Sequence, residues 1–304
     1  MNIIKYRNLF FAFSLLIIIP GLIAFRIWGL KLGIDFTGGT IWELKFTQQE
    51  TINPQEVQDV INQNMGEAHQ VVLTEKNSAL IRMKTIEEDK IEDLKTKISE
   101  KFGQTETVRQ ETVGPTISKE LTQKAILAVG VAILGIVLYI TWAFRSIPKP
   151  TSSLAFGFCT VFALVHDVIV VVGVFAILGH FFSIEVDSLF ITALLTVIGF
   201  SVHDTIVVFD RIRENLKKSD LPFEDIVNTS LLQTMSRSLN TSLTAILVLL
   251  ALFLFGGETV KYFVLALLIG IISGTYSSIF NAAPLLVTWN NIKGRLARRK
   301  SVNP

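Results

Sequence analysis

Six stretches of this chain stay apolar for long enough to cross a bilayer, and the segment between the first two alternates apolar and polar positions on a much shorter period. Residues 125–144 are the clearest, 20 consecutive positions without a charged side chain. As a helix rising about 1.5 Å per residue they match a hydrocarbon core about 30 Å thick. Residues 9–25, 154–182, 189–209, 231–255 and 262–289 resemble them. Three of these runs carry polar interruptions: His166 and Asp167, then His203 and Asp204, then Arg237. Lipid offers backbone amides no partner, so each run is expected to be helical.

Residues 31–115 read differently. Positions 40–46 alternate as a strand; Asn53 and Pro54 open a helix to about residue 64; residues 69–74 and 79–84 are expected to pair as strands around Lys76 and Asn77. An amphipathic helix fits 87–102, with Ile91, Leu94, Ile98 and Phe102 on one stripe and Gly103 as its stop, and 105–113 supplies a last strand. The order β-α-β-β-α-β predicts a ferredoxin-like α+β domain.

Composition agrees with the hydropathy pattern: half of the 304 residues are hydrophobic, which excludes a single large soluble domain once the uncharged runs are considered. The expected class is a polytopic α-helical membrane protein with six transmembrane helices. The net charge of +2 becomes informative only when divided by topology. Lys5, Arg7, Arg145, Lys149, Arg211, Arg213, Lys217, Lys218 and the group Lys293, Arg295, Arg298, Arg299 and Lys300 all fall on one side if the helices alternate direction. The positive-inside rule makes that side cytoplasmic, with both termini inside and the 31–115 domain outside. That domain holds ten Lys/Arg against fifteen Asp/Glu. The division is then 1–30 (terminus and first helix), 31–115 (extracytoplasmic domain), 116–290 (five-helix bundle) and 291–304 (basic tail). Arg26, Ile27 and Trp28 follow the first run where a cleavage signal would need small residues, so an uncleaved anchor is expected. Cys159 is the only cysteine, which excludes an intrachain disulfide.

Asp204 is the first candidate for chemistry. A carboxylate at bilayer depth costs at least about 2.5–3.5 kcal/mol, so such residues face a partner, a cavity or a proton path. It lies roughly 9 Å of helix rise before the charged end of its run at Asp210, Arg211 and Arg213. Arg237 in the next run is expected at a similar depth. Two readings stay open: a proton-coupled switch in which the acid's protonation releases the arginine, or a fixed ion pair joining two helices. His166 and Asp167 point about 100° apart on a helix and serve either helix-to-helix hydrogen bonding or a proton relay, and His203 carries the same ambiguity. Gly270 and Gly274 form a small-xxx-small pair for close helix packing, to which Ser273, Ser277 and Ser278 add small residues without a base to make them nucleophiles. The glycines of 33–40 (GIDFTGGT) lack the Lys-Ser/Thr of a phosphate loop and are read as a tight turn. No metal-ligand spacing or cofactor motif occurs. The basic tail suits anionic lipid rather than nucleic acid.

Five segments together resemble the SecF family of the bacterial Sec protein-translocation accessory complex: 33–40, 113–115 (VGP), 204–214 (DTIVVFDRIRE), 233–242 (QTMSRSLNTS) and 274–278 (GTYSS). The resemblance covers nearly the whole chain. It implies one half of a transporter body of the RND superfamily, pairing with SecD, and a non-enzymatic subunit that uses the proton-motive force to promote export or release of polypeptides at the outer face of the bacterial cytoplasmic membrane. The implied partners are SecD, the SecY, SecE and SecG channel, the translocating preprotein and membrane lipid. It associates Asp204 and Arg237 with proton conduction. The competing expectations are an RND-type exporter of small molecules or lipid, which generally needs a larger outside domain, and a passive assembly scaffold.

Overall fold

The computed structural model describes residues 2–48, 51–65, 70–75, 77–85, 88–145, 147–148 and 150–302. The chain divides into two compact units, one made of residues 32–126 and the other of residues 1–31 with 127–304.

The smaller unit contains a short helix α2 (Ile34–Thr37), then β1 (Gly39–Phe46), α3 (Pro54–Met65), β2 (Gln70–Glu75), β3 (Ser78–Met83), α4 (Glu88–Phe102) and β4 (Thr105–Val113). The sheet runs β2-β3-β1-β4 with every neighbouring pair antiparallel, the ferredoxin-like arrangement. His69 and Glu87, which the sequence placed at element ends, and Lys76, which it placed in the turn between two strands, lie outside the described residues. Local chemistry accounts for the elements. Asn53 Oδ1 accepts from Gln55 N at 3.0 Å and Pro54 takes the first helical position of α3. Gly103, at φ +85°, ends α4. Thr40, Trp42, Leu44 and Phe46 alternate onto the buried face of β1, where the three apolar members join Val57 and Ile61 of α3 and Leu94 and Ile98 of α4. The glycine-rich turn is a single helical turn closed by Gly38 (φ +73°) and Gly39 (φ +127°). A Cβ on Gly39 would stand 2.8 Å from Met83 O, so both backbone angle and space require glycine there.

The larger unit is helical. Its members are α1 (Arg7–Trp28), most of α5 (Pro115–Ala143), α6 (Ser153–Phe182), α7 (Ser188–Lys218), α8 (Phe223–Phe255), α9 (Glu258–Ser277) and α10 (Ala283–Val302). Among the described residues six helical segments are long and apolar enough to cross a membrane. Helices outrun their apolar runs because backbone hydrogen bonding continues past the lipid boundary; α7 persists to Lys218 and α8 starts at Phe223. Asp187 caps α7, accepting from Phe190 N at 2.9 Å. The last span is not one regular α-helix: Ser278–Ala282 is a π-helical turn joining α9 to α10. Periodicity cannot reveal that extra residue, since the composition stays apolar and small.

Glycines set two close crossings. Gly21 of α1 meets Gly173 of α6 backbone to backbone. Gly270 and Gly274 of α9 lie against α7, where a Cβ on Gly270 would overlap the Val197 side chain and one on Gly274 would sit 3.0 Å from Ser201 Cβ. Valine has no flexible end to swing aside. Gly270→Ala is therefore expected to destabilise the bundle by about 1–3 kcal/mol through overpacking, read as a lowered thermal unfolding midpoint in detergent; an unchanged midpoint would contradict this packing.

Candidate functional site

Among the described residues two acids, Asp167 and Asp204, are buried inside the helical unit, and their surroundings differ. Asp167 of α6 is 1% exposed and fully partnered. Its Oδ1 receives His166 Nδ1 at 2.9 Å and Ser273 Oγ at 2.7 Å. Its Oδ2 receives Ser201 Oγ at 2.5 Å and Ser277 Oγ at 2.7 Å. Three helices thus converge on one carboxylate: α6, α7 through Ser201, and α9 through the i, i+4 pair Ser273 and Ser277. The serines do more than the packing expected of them. Their signal was present as hydroxyls one helical turn apart in a chain with an acid to satisfy, but sequence alone does not say which helix faces which.

His166 corrects a geometric expectation. Adjacent helix positions diverge by about 100° at Cβ, yet the imidazole folds back onto its neighbour's carboxylate, so the two side chains meet at one point. His166 Nε2 is buried without a hydrogen-bond partner, and its ring lies 6.2 Å from that of Tyr276. Tyr276 OH donates to Phe10 O at 2.7 Å, and Ser14 Oγ donates to Asn281 Oδ1 at 3.0 Å, which ties α1 to the π-helical turn. Thr275 Oγ1 donates to Ser242 Oγ at 2.6 Å, joining α9 to α8.

Asp204 lies one helical turn after Ser201 on α7. It is 4% exposed, and its Oδ2 has no hydrogen-bond partner. Ser238 of α8 faces it, yet Ser238 Oγ is also buried without a properly oriented bond. An open oxygen on a buried acid is costly, of order 1–3 kcal/mol or more, and is therefore informative. His203, on the adjacent position, is exposed on the outer side of α7.

The expected direct pairing of Asp204 with Arg237 is not formed. Arg237 is exposed, and none of the ion pairs among the described residues joins it to Asp204. Counting residues along α8 fixes depth, not rotation. The inward stripe of that helix is Ser230, Thr234, Ser238 and Ser242, and position 237 is turned about 100° away from it, out of this chain.

The charged end of α7 is a network of its own. Arg211 bonds Gln233 Oε1 through Nε at 2.6 Å and Glu214 through Nη1 at 2.5 Å, and Lys218 meets Glu214 at 2.6 Å. Asn215 Nδ2 reaches Ser230 Oγ and Gln233 Oε1, both at 2.8 Å, so this end is laced to α8. Arg213 donates to Ala143 O at 3.4 Å, at the end of α5, and stands 3.9 Å from the largely exposed Asp210. Among the described residues no group of three or more His, Cys, Asp or Glu side chains is placed to hold a metal ion.

Comparison with known proteins covers the same elements. Residues 93–292, which include both buried acids, their serines and Arg237, match the family model "Protein export membrane protein SecD/SecF, C-terminal", and residues 29–50 match the SecD/SecF GG motif at the turn before β1. The Protein translocase subunit SecF of Thermobaculum terrenum is 48% identical over 96% of this chain and 94% of its own length. That of Anaerolinea thermophila is 45% identical over 100% and 99%. Among solved structures, the crystal structure of SecDF, a translocon-associated membrane protein, from Thermus thermophilus superimposes with a TM-score of 0.82 at 33% identity, over 96% of this chain but only 39% of that longer one. With matched sequence running through the sheet unit, the glycine turn and the helices that carry both acids, this chain belongs to the SecD/SecF family of protein export membrane proteins.

Proposed function

We propose that this protein is an auxiliary subunit of the bacterial Sec translocase that works with SecD and uses the proton-motive force to promote export or release of polypeptides across the cytoplasmic membrane. The observation that carries this reading is Asp204, a carboxyl buried in an apolar helix with an oxygen that no donor satisfies. A locked structural acid would be saturated, as Asp167 is. An acid that gains and loses a proton needs a position acceptable in both states. Arg237 supports the reading from the other side: a charge on the exposed flank of a membrane-spanning helix needs a cover, which SecD with an acid of its own would supply. Asp204 and Arg237 then act through a shared interface rather than by direct contact.

Basic residues at the ends of alternate spans support cytoplasmic termini and a ferredoxin-like domain on the outer side, where it would meet preprotein delivered by the SecY, SecE and SecG channel. The tail bases beyond Lys293 hold anionic lipid headgroups. One charge moving through about 100 mV is worth roughly 2.3 kcal/mol, enough to bias a two-state helix rearrangement nearly fifty-fold. Inside-out vesicles carrying the subunit with SecD should lose the proton-dependent part of export on Asp204→Asn, with normal protein levels. Undiminished export in that variant would defeat the proposal.

A further inference from the structure

The two buried acids lie on neighbouring helices and are linked through α7. Ser201, which donates to Asp167, precedes Asp204 by three residues, about 4.5 Å of helix rise on nearly the same face. Whatever sets the rotation of α7 at Ser201 therefore sets where Asp204 points. Asp167 has the means. An ionised carboxylate offers about four acceptor positions, and here two serines of α9, one serine of α7 and the imidazole beside it fill them at 2.5–2.9 Å. These lengths are in the range of charge-assisted bonds, roughly twice as strong as neutral ones. Gly274 lets α9 come close enough for this, its Cα facing Ser201 directly.

We infer that Asp167 is a positioning residue: an acceptor that ties α6 to α7 and α9 through Ser201, Ser273 and Ser277, and thereby aims Asp204 at Ser238 of α8. The consequence for export rests on reading Asp204 as the proton-exchanging group; the clamp itself does not. Both oxygens of Asp167 are taken up by side chains of three helices, whereas Asp204 Oδ2 has none. The titratable side chains around Asp167 are His166 on α6, Asp204 on α7 and Tyr276 on α9. With Asp167 Oδ1 accepting from Nδ1, the neutral imidazole presents Nε2 as a lone pair, cheaper to bury unpartnered than an N–H. On this reading the two buried acids differ in role: Asp204 exchanges the proton and Asp167 holds the exchanging group in place.

The aim of position 204 is measurable without proton flow. In the full chain with Cys159→Ser, the pair Asp204→Cys and Ser238→Cys should cross-link readily under mild oxidation in native membranes. Adding Asp167→Asn or Ser201→Ala should lower the yield at least about fivefold. A second pair, Ser242→Cys with Thr275→Cys, reports α8 against α9 and should keep its yield with Ser201→Ala, which leaves the bonds of Ser273 and Ser277 to Asp167 in place. If Asp167→Asn lowers both cross-links, α9 has been released with α7 or the protein has failed to fold, and Ser201→Ala, which deletes one hydroxyl only, decides. An unchanged 204–238 yield in a folded Ser201→Ala background would overturn the proposal, since the clamp would then fasten helices without aiming Asp204. Infrared titration of wild type is an independent check: a protonated-carboxyl band that Asp167→Asn removes would make Asp167 a proton carrier and end the inference. Failure of the Asp204→Asn export test, by contrast, leaves the cross-linking result intact and counts against the proton reading alone.

Discussion

Exchanging the two intramembrane charges, Asp204→Arg with Arg237→Asp in one chain, will leave proton-dependent export no better than Asp204→Arg alone and will lower the amount of folded protein. A fixed ion pair would tolerate the exchange, because attraction does not depend on which helix carries which sign. Here the groups do not touch. Position 204 is buried opposite Ser238, and position 237 is turned outward on α8. The exchange therefore puts a long guanidinium into a closed site without an acid, and an acid onto a flank that faces lipid or a partner. An uncompensated buried charge costs about 3–5 kcal/mol, a large share of any domain's stability. Quantifying the subunit in membranes and assaying vesicle export in parallel separates the two losses. Recovery of both would mean that a direct pair forms, and the assignment of Arg237 to an intersubunit surface would fall with it.

The second large effect concerns packing. Gly173→Val should cost about 3 kcal/mol, the upper end of the usual overpacking penalty. A Cβ on Gly173 would stand 2.5 Å from Gly21 Cα and 3.0 Å from Gly21 C, and one on Gly21 would stand 3.1 Å from Gly173 Cα. Backbone faces backbone, so no rotamer change relieves the overlap, and α1 must separate from α6. That separation strains the bonds of α1 to the π-helical turn and the helix before it, from Ser14 to Asn281 and from Tyr276 to Phe10. Gly130→Ala in α5, where nothing lies within 4 Å, is the matched control and should be neutral or stabilising through helix propensity. A comparison of unfolding midpoints in detergent checks both, and equal midpoints for the two variants would contradict the crossing.

Local patterns made much of this protein legible. Uncharged runs pointed to the six helices because a bilayer penalises every unsatisfied amide, so length and composition suffice. Period-two and period-3.6 alternation placed the strands and helices of the smaller unit within a residue or two, since one face of each must be apolar; β4 spans the predicted residues 105–113. Asp204 and Asp167 stood out because charge in such runs is expensive wherever it points.

Rotation and partnership were decided by tertiary structure alone. Residue counting put Asp204 and Arg237 at one depth, but a helix turns about 100° per residue, and only packing chooses which side faces in. The same freedom hid the three serines that satisfy Asp167, the folding of His166 onto its neighbour, and the Gly21–Gly173 crossing, whose members are far apart in sequence. The π-helical turn escaped for a related reason: it adds one residue to a helix whose composition does not change. Linear sequence thus determined which segments are buried and which residues are costly there, because those are properties of single elements. Hydrogen bonds between helices depend on the rotation of several elements at once, and no single run of residues encodes them.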